Sequence, residues 1–206
     1  MDRLSAVITL AAAAATTAAC ETKTQGEGGD PPARANTAKT ATRQGTTAEA
    51  FCDAHFPAGK GPALKWPEMA PTAAGGAAPL VLPSAGWRWI NVWATWCKPC
   101  VEEMPRLRTW RDKLGAAGKP FELAFVSIDE SDAVVAEFQK AHPDMPPSVR
   151  LAEPDKSLPW FRELGLTGEP PIPVHVFVDP TSHVRCARAG AVREKDYDTI
   201  VQLLGS

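Results

Sequence analysis

Hydrophobic positions in this 206-residue chain fall either in short apolar runs or at every third or fourth residue, and the switches between the two outline the elements. Arg88-Trp89-Ile90-Asn91-Val92-Trp93-Ala94 is aromatic and β-branched and reads as a strand. Val101, Met104, Leu107, Trp110 and Leu114 then recur every three or four residues, as on one helix face. The mostly apolar run from Phe121 to Ile128 suits a strand covered on both faces. Ser131 caps a helix carrying Val134, Val135 and Phe138, which His142-Pro143 stops. A short strand at Ser148 to Ala152 follows, then a helix around Trp160, Phe161 and Leu164 that ends at Gly165. Pro159 fits only in the first turn of that helix. Val174 to Val178 and His183 to Arg188 form a hairpin around Asp179-Pro180-Thr181-Ser182. Tyr197, Ile200, Val201 and Leu204 give a closing helix. Gly61 to Gly86 is rich in proline and glycine, with one short strand at Leu80-Val81-Leu82. The order is that of an α/β domain.

The first fifty residues lack this patterning. Arg3 precedes an apolar run from Leu4 to Ala19 that is too short and too rich in alanine and threonine for a membrane span. It reads as a signal peptide over residues 1–19. Thr17-Ala18-Ala19-Cys20 resembles a bacterial lipoprotein box, in which Cys20 is lipidated and becomes the mature N-terminus. The alternative is an ordinary cleaved signal with an incidental cysteine. Residues 21–50 hold no aliphatic side chain larger than alanine, cannot offset their chain entropy by burial, and read as a disordered tether. A flexible chain of that length reaches about 30 Å. Residues 51–206 remain as one domain. A net charge of −2 gives no reason to expect a nucleic-acid partner.

Candidate chemistry is concentrated in Trp93-Ala94-Thr95-Trp96-Cys97-Lys98-Pro99-Cys100. Two cysteines separated by two residues can close as a disulfide or open as a dithiol. Cys97 falls where the first strand ends and the first helix begins, and the free N–H groups and dipole of a helix start favour a thiolate. Cys100 lies one turn further in, as the resolving partner.

These residues resemble the active site of thioredoxin-fold proteins, and especially the TlpA-like and ResA-like thiol–disulfide oxidoreductases. That pattern is W-x-x-W-C-x-P-C after an apolar strand, with a helix proline a turn later, here Pro105. Its second signature is a cis-proline before a strand ending in Asp. Gly168 to Asp179 matches, with Pro173 as the cis candidate and Pro171 as the fallback. The resemblance covers roughly residues 60–206. It implies a thioredoxin-like fold, a central mixed sheet flanked by helices, with an N-terminal extension. It also implies Cys97 and Cys100 as the catalytic pair, facing Pro173 and flanked by Trp93, Trp96, Lys98 and Pro99.

Thioredoxin carries a buried Asp at the position of Asn91, so that base is missing here. The ResA-like proteins carry a Glu two residues before the helix proline, which Glu103 matches. The other reading makes Glu102 and Glu103 solvated acids of a first helical turn. With Cys20 set aside as a lipid site, Cys52 and Cys186 are left over. An even remainder in an oxidising compartment, and a similar bridge in some TlpA-like proteins, suggest a structural disulfide between them; two unrelated buried thiols are the alternative. Lys98 is expected to be solvated. Trp66, Trp87, Trp89, Trp110 and Trp160 read as packing. His175 is the one histidine near Pro173, and it too reads as packing or surface.

The resemblance therefore implies an enzyme that reduces protein disulfides outside the cytoplasm, as in cytochrome c maturation. It would work on the periplasmic side of a bacterial membrane, held there by its lipid. Its partners would be protein dithiol or disulfide substrates and a membrane electron-donor protein. No cofactor or metal is expected beyond the Cys97–Cys100 disulfide. A structural zinc site needs more ligands than one CxxC supplies. A thiol peroxidase would need Thr three residues before its cysteine, and Thr95 stands two before. A Sco-like metal-delivery protein, which spaces its cysteines by three, or a non-catalytic binding module on the same fold are the alternatives.

Overall fold

The computed structural model describes residues 47–70 and 86–205. The proposed signal peptide, Cys20, most of the tether and the strand at residues 80–82 lie outside them.

Six strands form one mixed sheet: β1 (Ala54–His55), β2 (Arg88–Trp93), β3 (Glu122–Ser127), β4 (Val149–Arg150), β5 (Val174–Val178) and β6 (Val184–Ala189), in the spatial order β1-β6-β5-β2-β3-β4. β2 runs parallel to β3, and β3 to β4. β5 is antiparallel to β2 and to β6, and β6 to β1. A parallel pair needs a crossover, and α2 (Lys98–Ala116) supplies it between β2 and β3. The other helices are α1 (Ala48–Phe51), α3 (Asp132–Ala141), α4 (Ser157–Glu163) and α5 (Tyr197–Leu203). This is a thioredoxin-like fold.

Strand alternation divides the core in two. Trp89 and Trp93 of β2 and Phe177 of β5 face one layer with Met104, Leu107, Trp110, Ile200 and Leu203. Ile90, Val92, Val174, Val176 and Val178 face the other, with Trp160, Phe161 and Leu164. Every residue of β2 and β5 is buried, which is why both runs are apolar nearly throughout. Gly165 ends α4 at φ +94°, where an added Cβ would meet the Phe56 ring at 2.8 Å.

The domain starts earlier than residue 51. Thr47 Oγ1 accepts from the Ala50 N–H and caps α1, whose Phe51 is buried against Phe177. Burial of Phe51 draws the turn before it into the fold, so residues 47–50 belong to the domain and not to the tether. β1 also lies outside the sequence expectation, because two residues carry no periodicity. β4 is shorter than Ser148 to Ala152, and Leu151 instead bridges to Met69.

At the end of β5, Asp179 closes the hairpin. Its carboxylate accepts from the backbone N–H groups of Gly59, Thr181 and His183 and from Thr181 Oγ1. Burial alone would raise its pKa, but these hydrogen bonds outweigh it and hold the group below the usual carboxylate range. Arg88, whose own pKa is lowered by burial against the opposing charge of Asp179, donates to the Asp179 carbonyl and to Ser182 Oγ.

Candidate active site

β2 delivers the motif to the start of α2. Cys97 is the N-cap residue: its Sγ accepts from the Cys100 N–H at 3.3 Å. Pro99 fits the first turn, where its missing N–H leaves no partner wanting. Pro105 lies inside the helix and removes the bond to the Val101 carbonyl, yet the helix continues to Ala116. Cys97 and Cys100 are joined as a disulfide with Cα atoms 5.3 Å apart. Cys97 is 5% exposed and Cys100 fully buried, so one sulfur has a path to solvent and the other does not.

The loop before Cys97 is held from below. Asp129, just past β3, accepts from the Thr95 N–H, Thr95 Oγ1 and Ser127 Oγ. Trp93 is buried and donates from Nε1 to Ser148 Oγ at 2.8 Å. Trp96 is 69% exposed. The Lys98 ammonium pairs with Glu102 on the helix surface, so its charge is both solvated and engaged.

The Ile172–Pro173 peptide bond is cis, and the Ile172 carbonyl approaches Cys97 Sγ at 3.8 Å. Of the two proline candidates, Pro173 is the cis one. Beside it an apolar groove of about 540 Å³ opens from the disulfide, walled by Trp96, Pro99, Ile128, Leu158, Phe161 and Pro171. Among the described residues no group of three or more His, Cys, Asp or Glu side chains is placed to hold a metal ion.

Beneath the disulfide, Glu103 is 1% exposed and so is not a solvated acid. It stands three residues past Cys100 on α2, hence on the same face. Oε1 accepts from Asn91 Nδ2 at 2.8 Å and Oε2 from the Val192 N–H at 2.9 Å. His175 Nε2 lies 3.3 Å from Oε1, and His175 Nδ1 accepts from Trp89 Nε1 at 3.1 Å. Burial between α2 and the sheet explains why Glu103 gathers donors: a carboxylate there must be hydrogen-bonded. Glu102, one position earlier, faces solvent.

Sequence reasoning placed Cys97, Cys100, Trp93, Trp96, Lys98, Pro99, Pro173 and Glu103 as neighbours, and the structure brings them together. Packing is an incomplete account of His175 and Trp89, whose ring nitrogens meet each other and whose His side reaches Glu103. Asp129 was missed. Its signal was its place just beyond the carboxyl end of a parallel strand, where sites of open α/β sheets gather. Cys52 and Cys186 are joined at the far edge of the sheet, with S–S 2.00 Å and Cα atoms 5.5 Å apart.

No family model matches the chain. A 53-residue segment is 38% identical to the thiol-disulfide oxidoreductase ResA of Bacillus thuringiensis subsp. konkukian, covering 26% of this chain and 30% of that protein. The same values hold for ResA of Bacillus cereus. The match thus spans less than a third of those relatives. Among solved structures, a thioredoxin-related protein from Neisseria meningitidis serogroup B aligns over 67% of this chain and 98% of its own, at 24% identity and TM-score 0.49. StoA from Bacillus subtilis aligns over 67% and 97%, at 17% identity and TM-score 0.47. The sheet order, the disulfide at the start of α2 and the cis-proline beside it make this chain a thioredoxin-fold protein similar to ResA.

Proposed function

We propose that the protein is a thiol–disulfide oxidoreductase that reduces protein disulfides. The observation that carries this reading is the Cys97–Cys100 pair at the start of α2, with the outer sulfur beside an apolar groove and the inner one sealed. In the reduced enzyme, the helix start favours Cys97 as thiolate. That thiolate attacks one sulfur of a substrate disulfide; the substrate S–S bond breaks and a mixed disulfide forms. Cys100 gives its proton to a base and attacks Cys97 Sγ, which re-forms the internal disulfide and releases the second substrate sulfur as a thiolate. The substrate has gained two electrons and the enzyme has lost them, so a dithiol donor must reduce Cys97–Cys100 for the next turn. Glu103, one turn from Cys100 and buried, is the proton acceptor we assign.

The location we propose is outside the cytoplasm, with the domain held to a bacterial membrane through lipidated Cys20. The Cys52–Cys186 bridge supports the oxidising compartment, since reducing cytosol keeps such thiols open. The donor would then be a membrane dithiol protein, and cytochrome c maturation one pathway that uses such reduction. Lipid attachment is tested by labelled fatty-acid incorporation, which Cys20→Ser abolishes if the assignment holds.

The deciding experiment is the equilibrium reduction potential of Cys97/Cys100 in dithiothreitol and glutathione buffers, read by tryptophan fluorescence. A value near or below about −270 mV, that of thioredoxin, fits a reductant. A value near about −120 mV, that of DsbA, marks an oxidant and overturns the reductase reading.

A further inference from the structure

Glu103 does not lie alone under the disulfide. His175 of β5 is fully buried, and its two nitrogens face groups of different kinds. Nδ1 meets two donors, Trp89 Nε1 at 3.1 Å and Asn91 Nδ2 at 3.4 Å. A ring nitrogen met by N–H donors must be the acceptor, so the ring proton is on Nε2. Nε2 has no conventional hydrogen bond and lies 3.3 Å from Glu103 Oε1. Trp89 thereby fixes the tautomer that turns a donor toward the carboxylate. The remaining charged groups on the surrounding elements are engaged elsewhere. Arg106 of α2 reaches the Val192 carbonyl and Glu194, Arg188 of β6 the Phe51 carbonyl, and Arg88 of β2 the Asp179 turn.

We propose that His175 is a positioning residue for the exchange reaction, its Nε2–H set by Trp89 to hold the Glu103 carboxylate that takes the proton of Cys100. The inference rests on the oxidoreductase reading and extends it to a residue of β5. The proton balance is closed within the site. Cys100 S–H becomes a thiolate, Glu103 becomes the neutral acid, and His175 keeps its own proton throughout. The Glu103 proton leaves to solvent or to the departing substrate thiolate.

The test is stopped-flow fluorescence of the resolution step across pH, with insulin reduction by wild-type protein and by Cys97→Ser alongside. Removing the donor with His175→Val should slow resolution about tenfold, the size of losing one close polar contact to a charged group, and displace its pH profile. His175→Gln keeps an N–H donor of similar reach and should recover the rate to within about threefold. In a Glu103→Gln background His175→Val should add nothing, because the two act through one group. An undisplaced profile in His175→Val, or losses that add in the double variant, overturns the inference alone. Wild-type protein that reduces insulin no better than Cys97→Ser overturns the oxidoreductase reading and this inference with it. Should His175→Val not fold, nitrogen NMR of histidine-labelled wild-type protein decides. An Nε2–H tautomer whose signal responds to reduction of Cys97–Cys100 supports the inference, and an Nδ1–H tautomer overturns it.

Discussion

Cys97–Cys100 closes a ring within one helical turn, whereas Cys52–Cys186 joins positions 134 residues apart in the sequence. The first sits at a helix start, beside an exposed tryptophan and an apolar groove. The second ties the residue after α1 to β6, next to the β1 edge of the sheet, with Cys186 fully buried. A short ring constrains the unfolded chain little and contributes little stability, while a long one removes many conformations. On the function proposed above, stability and reactivity are separated between two bonds of the same kind, one bridge kept closed to hold the edge and the other left free to open.

Removing one bond at a time separates the two roles. Cys97→Ser should abolish insulin disulfide reduction and leave the thermal unfolding midpoint nearly unchanged. Retained turnover would place the chemistry elsewhere. The converse variant, Cys52→Ala with Cys186→Ala, should keep turnover and lower stability by up to about 4–5 kcal/mol from the length of the released loop. Denaturant titration of the oxidised proteins measures it, and an unchanged midpoint would deny the bridge its structural role.

The two regions also differ in how much of them the sequence reveals. The dithiol, its strand and its helix were legible because a motif, an aromatic and β-branched run and a 3.6-residue period converge within Arg88 to Leu114. Glu103 was legible only as a position. Its burial was not, because Glu102 beside it is the same residue type and faces solvent, and one helical step of rotation separates the two fates. His175 was obscured for a related reason. It sits in an unbroken apolar strand, where alternation cannot say that its face meets α2 across Trp89. β1 was invisible, since its two residues exist as a strand only through pairing with Ala187 and Cys186. Long-range pairing and the face on which a polar residue lands are tertiary properties, and local pattern carries neither.

Glu103→Gln removes the proposed proton acceptor beside Cys100. It should slow resolution by roughly a hundredfold, the scale of a positioned general base, and shift the Cys97/Cys100 titration. Thermal stability should change less than in the bridge variant, because Gln still accepts from the Val192 N–H through its carbonyl oxygen. A pH–rate profile that coincides with wild type would remove Glu103 from the mechanism.

The smallest effect belongs to the end of β5 remote from Pro173. Asp179 has a lowered pKa in the folded protein, held there by four hydrogen bonds from Gly59, Thr181 and His183. A lowered carboxylate pKa adds stability that is present above the unfolded value of about 4 and is lost as pH falls through the folded value. Wild-type stability should therefore decline below about pH 4 through this group among others. Asp179→Asn should be less stable at pH 7 by about 1 kcal/mol or more, since its amide NH₂ cannot accept from the Gly59 N–H. The difference between the two proteins should shrink as the pH is lowered. Unfolding midpoints at pH 7 and pH 3 measure that convergence, and parallel curves would show that Asp179 titrates alike in both states. Turnover at neutral pH should be untouched, because the Asp179 turn contacts Arg88 and Gly59 and no residue of the dithiol site. That independence is what a fold gains by placing its polar staples at one end of a strand and its reactive sulfurs at the other.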